Sequence, residues 1–272
     1  MKKNIFIASF IFLYFFGYSQ IDTKKVIVYN KTKVGEINKV RVSIKNAVSK
    51  FNFAKFKLVI NNKSKDYILY KVEESKLNIT SKEYSPAESR KPLIIRPKKK
   101  SGMTVKVTGG EEFLTEKYTF VPSGIYTFSI EGTPTEAPDF HMPANKNNFE
   151  VGDFEVNMII SEQKTKVTRV RFKCTYTGDK IGVVTPSNAV LKPEDGKEWA
   201  NYRSRKKKKI LLNGESCKFT LEYRIPGKIV DMQFAQMDIL WKNTFAESEL
   251  KKMDFPKVEL TIDKAKTEKK NK

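Results

Sequence analysis

Apolar and polar residues alternate along most of this chain in short runs, and no segment of helical length repeats with period 3.6. The alternation predicts a strand near Val26–Tyr29, then strands over Lys39–Lys45, Phe51–Asn61, Asp66–Val72, Pro92–Arg96, Met103–Thr108, Tyr118–Val121 and Gly124–Ile130. Turn residues separate them: Asn61-Asn62, the stretch from Pro97 to Gly102, Gly109-Gly110 and Pro122-Ser-Gly124. A second series covers Phe149–Val151, Phe154–Ile160, Thr168–Thr177, Ile181–Pro186, Ile210–Leu212, Ser216–Arg224, Asp231–Lys242 and Lys257–Ile262. Strands at this spacing, broken by such turns, form antiparallel sandwiches.

The two series read as copies of one another. Val40–Val107 lies on Val156–Tyr223 without a gap at an offset of 116 residues, as from Phe56 to Phe172. Val40-Arg-Val-Ser-Ile44 meets Val156-Asn-Met-Ile-Ile160, and Met103-Thr-Val-Lys-Val107 meets Phe219-Thr-Leu-Glu-Tyr223. Identities are few, but four strands in register require loop lengths to agree as well. Duplication favours a scaffold or binding role over a single catalytic cleft.

Between the series, residues 131–148 hold Pro134, Pro138 and Pro143 with no alternating run, which predicts a semi-rigid linker. Residues 1–19 have the order of a signal peptide. Lys2 and Lys3 precede the apolar Ile5–Phe16, and Gly17-Tyr-Ser19 offers small residues at a cleavage site. The apolar run is shorter than the ~20 residues of a membrane-spanning helix, so a retained anchor is the weaker reading. No later segment reads as a transmembrane helix. Residues 264–272 are charged and nearly free of bulky apolar residues, and are expected as a disordered tail. The expected organisation is therefore a first sandwich over 20–130, a linker over 131–148 and a second sandwich over 149–263.

Charge sharpens the choice of partner. The chain has 52 Lys and Arg against 31 Asp and Glu, a formal net charge of +21. Only eight of the basic residues are arginine, so most of the charge is solvated point charge rather than bidentate fork. An exported chain of this kind attracts an envelope protein, an anionic glycan or a lipid head-group surface, and not nucleic acid. The densest cluster, Arg203, Arg205, Lys206, Lys207, Lys208 and Lys209, follows Trp199 and Tyr202, combining aromatic surface with charge as a candidate binding loop. Lys98-Lys99-Lys100 forms a second cluster, expected at the opposite end of its own sandwich.

Candidate catalysis is sparse. The single histidine, His141, stands in the predicted linker, so neither a Ser-His-Asp device nor a zinc site has its usual parts. The visible acid pairs, Glu73-Glu74 and Glu111-Glu112, are adjacent and point to opposite faces of a strand. No catalytic, cofactor or metal residue is assigned. Cys174 shares an apolar strand face with Phe172 and Tyr176, and Cys217 with Phe219 and Leu221; Leu58 and Ser101 stand at the matching positions of the first copy. In an oxidising compartment the pair is a candidate disulfide, whose loop closure would contribute about 4 kcal/mol. The alternative is two buried thiols packed as small hydrophobes.

Val170-Arg-Phe-Lys-Cys-Thr-Tyr176, Asp195-Gly196, Leu212-Asn-Gly-Glu215, Phe219-Thr-Leu-Glu-Tyr223 and Ile225-Pro226 together resemble bacterial exported immunoglobulin-like domains of unassigned function. The resemblance covers residues 154–241 and reaches the first copy, which lacks the Asp-Gly and Asn-Gly elements, only through the repeat. Together with the repeat it implies an all-β chain of two tandem immunoglobulin-like antiparallel β-sandwich domains. The bacterial form of the signal region makes the glycosylation sequons at Asn30, Asn62 and Asn78 chance matches. The sequence thus leads to a non-catalytic binding or assembly module of the bacterial cell envelope, in the periplasm or at the cell surface, that makes protein contacts. An accessory protein gripping anionic polysaccharide or lipid through the basic-aromatic loop is the alternative.

Overall fold

A computed structural model of the chain describes residues 24–87, 91–109, 113–203 and 207–272; the expected signal peptide, 1–19, lies outside them. The first series of strands is β1 (Ile27–Val28), β2 (Thr32–Ile37), β3 (Val40–Lys50), β4 (Phe53–Asn62), β5 (Tyr67–Tyr70) and β6 (Lys76–Ile79). It continues through β7 (Lys82–Tyr84), β8 (Leu93–Ile95), β9 (Lys100–Thr108), β10 (Lys117–Val121) and β11 (Ile125–Phe128). The second comprises β12 (Thr133–Thr135), β13 (Phe140–Met142), β14 (Asn148–Val151), β15 (Phe154–Lys164), β16 (Val167–Tyr176) and β17 (Ile181–Val184). After these come β18 (Val190–Pro193), β19 (Trp199–Ala200), β20 (Lys209–Leu211), β21 (Ser216–Arg224), β22 (Met237–Leu240) and β23 (Phe245–Ser248). Two short strands, β24 (Lys251–Lys252) and β25 (Val258–Thr261), and the helix α1 (Lys264–Asn271) complete the chain.

The chain is all-β and its sheets are antiparallel, as the alternation predicts. Period-two burial makes the reason visible: on β16, Val170, Phe172, Cys174 and Tyr176 are buried while Arg171 and Lys173 between them are exposed. In the second half one sheet runs β12-β23-β17-β20, a second β13-β22-β18-β19 and a third β14-β15-β16-β21. Numbering the strands of the first two sheets in chain order gives 1-8-3-6 and 2-7-4-5, the nested order of a jelly roll. This order lends no support to the immunoglobulin-like part of the expectation.

The first half repeats the arrangement with two differences, a fifth strand in its third sheet and the origin of two strands. Its sheets run β24-β11-β5-β8, β25-β10-β6-β7 and β1-β3-β4-β9, with β2 also on β3. Here the first two strands of the nested order, β24 and β25, arrive from beyond the second half. Each half is therefore completed by a strand pair that follows the last strand of the other. β12 and β13 leave β11 to pair with β23 and β22, and β24 and β25 leave β23 to return to β11 and β10.

This exchange corrects three expectations. Residues 131–148 do not act as a plain linker, because Thr133–Thr135 and Phe140–Met142 are strands of the second half. Pro134 is tolerated on β12 because that strand lies at a sheet edge, where a missing N–H breaks no ladder. The strand at 258–261 belongs to the first half's sheet and not to a second domain over 149–263. Residues 264–272 are ordered rather than a tail: Asp263 caps α1 by accepting from the Lys266 backbone N–H at 3.1 Å. Thr267 and Asn271 then bond the backbone of Val28 and Val26.

Three apolar clusters hold the molecule. One fills the first half and includes Met253, Phe255 and Leu260 of the returning segment. A second fills the second half around Phe172, Trp241 and Phe245. The third lies between them, where Leu69 and Phe128 meet Ile181, Val183 and Ala246, so the halves pack directly on each other.

Pairing register refines the repeat. Ile60 opposes Ser101, and Cys174 opposes Cys217, so the offset is 114 residues on β4 and 116 on β9. The ungapped alignment is two residues out on the earlier strands. A shift of two keeps every side chain on its own face, which is why the pattern still matched.

Candidate functional site

The predicted basic-aromatic segment runs from β19 to β20. Asn201, buried, ties it down: its Oδ1 accepts from the backbone N–H of Arg203 and of Glu222, each at 3.1 Å, and its Nδ2 donates to the Pro186 carbonyl at 3.1 Å. Trp199 packs against the second-half core, with the Lys197 ammonium 4.7 Å from its ring centroid. It is a wall of the core more than a contact residue. Tyr202 is 59% exposed and carries the Arg224 guanidinium at 3.7 Å over its ring. Arg205 and Lys206 lie outside the described residues.

Behind this segment stands a carboxylate that the sequence did not single out. Glu222, on β21, has a side chain only 2% exposed and accepts from three arginines. Arg169 Nε and Arg203 Nε reach Oε2 at 3.0 and 2.9 Å, and Arg224 donates to Oε1 through Nε at 2.9 Å and Nη2 at 2.7 Å. Burial pushes the carboxyl group up, but the arginines together outweigh it and hold it down at about 2. One buried negative charge thus fixes three half-exposed guanidinium groups and leaves the cluster with a net positive charge.

Arg203 also lines a groove of about 330 Å³ with Arg171, Lys207, Lys209 and Lys218, floored by Phe219 and Thr220. Among the described residues, five cations and no carboxylate line it. Lys207 and Lys209 line in addition a larger groove of about 700 Å³, which they share with Lys208 and with Tyr67, Ile94 and Arg96 of the first half. Lys208 is committed there: its Nζ donates to Glu131 Oε2 at 2.7 Å and to the Ile130 carbonyl at 3.3 Å. Lys207 and Lys209 therefore stand between a cationic groove on the outer face of the β16–β21 pair and the junction of the halves. The other basic cluster is not part of it. Lys98 bonds the Lys63 carbonyl, and Arg96 instead is the first-half cation that reaches the shared groove.

The remaining candidates divide. Cys174 and Cys217 sit directly opposite each other on β16 and β21, but both are free thiols and the expected disulfide is absent. They pack into the second-half core as small apolar groups. The hydrogen bond between the two sulfurs raises the Cys174 thiol and lowers that of Cys217, which Lys209 also favours as thiolate. Titration with a thiol reagent in denaturant is expected to give two thiols per chain without prior reduction, and a count of zero would contradict this arrangement. His141, on β13, pairs with Asp238 at 2.9 Å across the sheet. Glu73 and Glu74 lie on a short 3-10 turn, where Glu74 accepts from Tyr126 at 2.5 Å. Among the described residues no three His, Cys, Asp or Glu side chains are grouped to hold a metal ion, and no helix is long and apolar enough to cross a membrane.

No family model matches the chain, and no curated protein does. Among solved structures, a conserved protein of unknown function from Pseudomonas aeruginosa PAO1 is 7% identical, covering 84% of this chain and 98% of its own, with a TM-score of 0.13. Procruciferin, the 11S globulin of Brassica napus, is 6% identical, covering 85% and 86%, with a TM-score of 0.17. Similarity this low carries no argument about fold or function.

Proposed function

We propose that this protein is a non-catalytic, exported binding module of the cell envelope that takes an anionic polysaccharide in the groove beside β20 and β21. The observation that carries the reading is the groove's lining: Arg171, Arg203, Lys207, Lys209 and Lys218 converge with no acid among them. Arg203 is held by Glu222 and Asn201 before any ligand arrives, which lowers the ordering cost of binding. The other four cations are not so restrained, and suit a polymer of variable register better than one small anion. Export is supported by the Lys2-Lys3 and Ile5–Phe16 pattern.

Reversal of three charges, Lys207→Glu, Lys209→Glu and Lys218→Glu, tests the groove. On immobilised heparin, a generic anionic glycan, elution should move to markedly lower salt than for the parent, because each exposed contact is screened by ions. Elution of the variant at the parent's salt concentration would remove the reading. An unchanged circular dichroism spectrum would separate lost binding from lost fold.

A further inference from the structure

We infer that the first half carries a second anionic-polysaccharide surface, on the sheet face equivalent to the groove of the second half, so that one chain holds a long polyanion at two places. This inference rests on the reading of the groove given above.

The face is formed by β3, β4 and β9. Lys45 lies directly opposite Lys57, and Lys55 directly opposite Lys106. Opposed residues share a face, as do residues two apart on one strand, so all four lysines point the same way. Like charges placed directly opposite destabilise a sheet. Among the described residues, no carboxylate lies within ion-pair distance of any of the four. The half-buried ring of Phe53 stands in the same row, with the Lys55 and Lys106 ammonium groups 5.7 and 5.2 Å from its centroid. An apolar ring flanked by two cations is suited to the combination of an apolar sugar face and an anionic substituent.

Comparison of the halves makes the arrangement more pointed. The pair Lys55–Lys106 occupies the register position of Arg169–Glu222, and Lys57–Thr104 that of Arg171–Thr220. Where the second half places a carboxylate under its cations, the first half places another cation. The fold therefore accommodates a neutralising acid at this point, and the first half does without one.

An anionic polysaccharide fits better than a membrane. Surface-bound proteins add apolar burial to charge attraction, yet the large exposed apolar side chains among the described residues, Ile159, Ile160, Tyr202, Ile229 and Phe234, all belong to the second half. The face is also open, so a small anion would keep most of its water. A polymer that already occupies the groove meets this second face at high effective concentration.

The test uses Lys57→Glu with Lys106→Glu in the full chain. Both changes turn a like-charged opposed pair into an oppositely charged one, so the melting temperature should not fall. Binding is measured by calorimetry to a heparin tetrasaccharide and to unfractionated heparin. The parent should take two tetrasaccharides per chain and the variant one, and affinity for the long chain should drop roughly 100-fold as bivalency is lost. Unchanged stoichiometry and long-chain affinity would overturn the second surface while leaving the groove intact. If the Lys207→Glu, Lys209→Glu variant matched the parent while the face variant lost all binding, the groove reading would fall instead. Retention of the parent on vesicles with anionic lipid, but not on heparin, would overturn the polysaccharide assignment for both.

Discussion

A chain ended after Leu250 is expected to lose the first half while keeping the second. The deleted segment contains β24, β25 and α1, which make no strand pairs with the half that precedes them in sequence. They complete two of the three sheets of the first half, through Tyr126 with Lys252 and through Lys117, Tyr118, Thr119 and Phe120 with Thr261, Leu260, Glu259 and Val258. Met253, Phe255 and Leu260 are buried in the first-half core. At roughly 1.5–3 kcal/mol for each large apolar side chain, their loss alone approaches the whole stability of an ordinary domain, about 5–15 kcal/mol. β10 and β11 would also become bare edges. Hydrogen exchange followed by mass spectrometry should then show Val40–Asn62 unprotected and Phe154–Tyr176 still protected, because every strand of the second half lies between Thr133 and Ser248. Protection of Val40–Asn62 equal to that of the full chain would sink the prediction. The milder Leu260→Ala should cost about 2–5 kcal/mol and perturb the same half.

The same strand exchange marks where the sequence stops being informative. Long strands with one buried face announce themselves: Ser216–Arg224 is predicted and observed with the same bounds, and β4 and β16 shift by only a residue or two. Their period-two pattern spans enough residues to stand above chance. Shorter strands are legible only in part: β8 and β17 fall within predicted runs and β20 overlaps one, whereas β6, β7, β12, β13, β18, β19, β23, β24 and the six-residue β2 lie outside every predicted strand. Phe140-His-Met142 does carry a signal, buried on either side of an exposed histidine, but three residues among prolines read as linker. Neither α1 nor the return of β25 is legible, because a strand's partner depends on topology and not on its own composition. α1 is highly charged, and it is held by its cap and by Thr267 and Asn271 on β1, not by an apolar stripe.

For the site, the charge and aromatic density of Trp199–Lys209 pointed to a segment whose members the structure places in different surroundings. Trp199 faces the core, and Lys208 is occupied by Glu131. Arg171 and Lys218, which share the groove with Arg203, Lys207 and Lys209, are outward residues on ordinary alternating strands. Nothing in their neighbours distinguishes them from a solvated face. The alternation puts each cysteine on an apolar face, but that they stand directly opposite each other is visible only in the strand register, and even that proximity does not make the bond.

Glu222→Gln is expected to be among the most damaging single changes to the second half. The amide keeps the shape but removes the charge, leaving Arg169, Arg203 and Arg224 close together with only the exposed Glu162, 3.6 Å from Arg169, to offset them. Breaking a buried ion pair costs about 3–5 kcal/mol. The three arginine side chains are 42%, 54% and 48% exposed, so solvent screens part of their repulsion and the lower end of that range is expected here. The pH dependence gives a signature that mere loss of packing would not. The Glu222 carboxyl group titrates at about 2 in the folded protein against an ordinary 4.5. The folded pKa is depressed, so its contribution is fully present above pH 4.5 and is lost as the pH falls towards 2. Urea midpoints for the parent and for Glu222→Gln should therefore differ most above pH 4.5 and converge between pH 4.5 and 2. Parallel curves across that window would mean that shape, and not charge, holds the arginines. Because Arg203 is anchored by the same carboxylate and lines the groove, the variant should also bind heparin with a smaller enthalpy at pH 7, and binding indistinguishable from the parent's would show that the groove does not depend on this anchor.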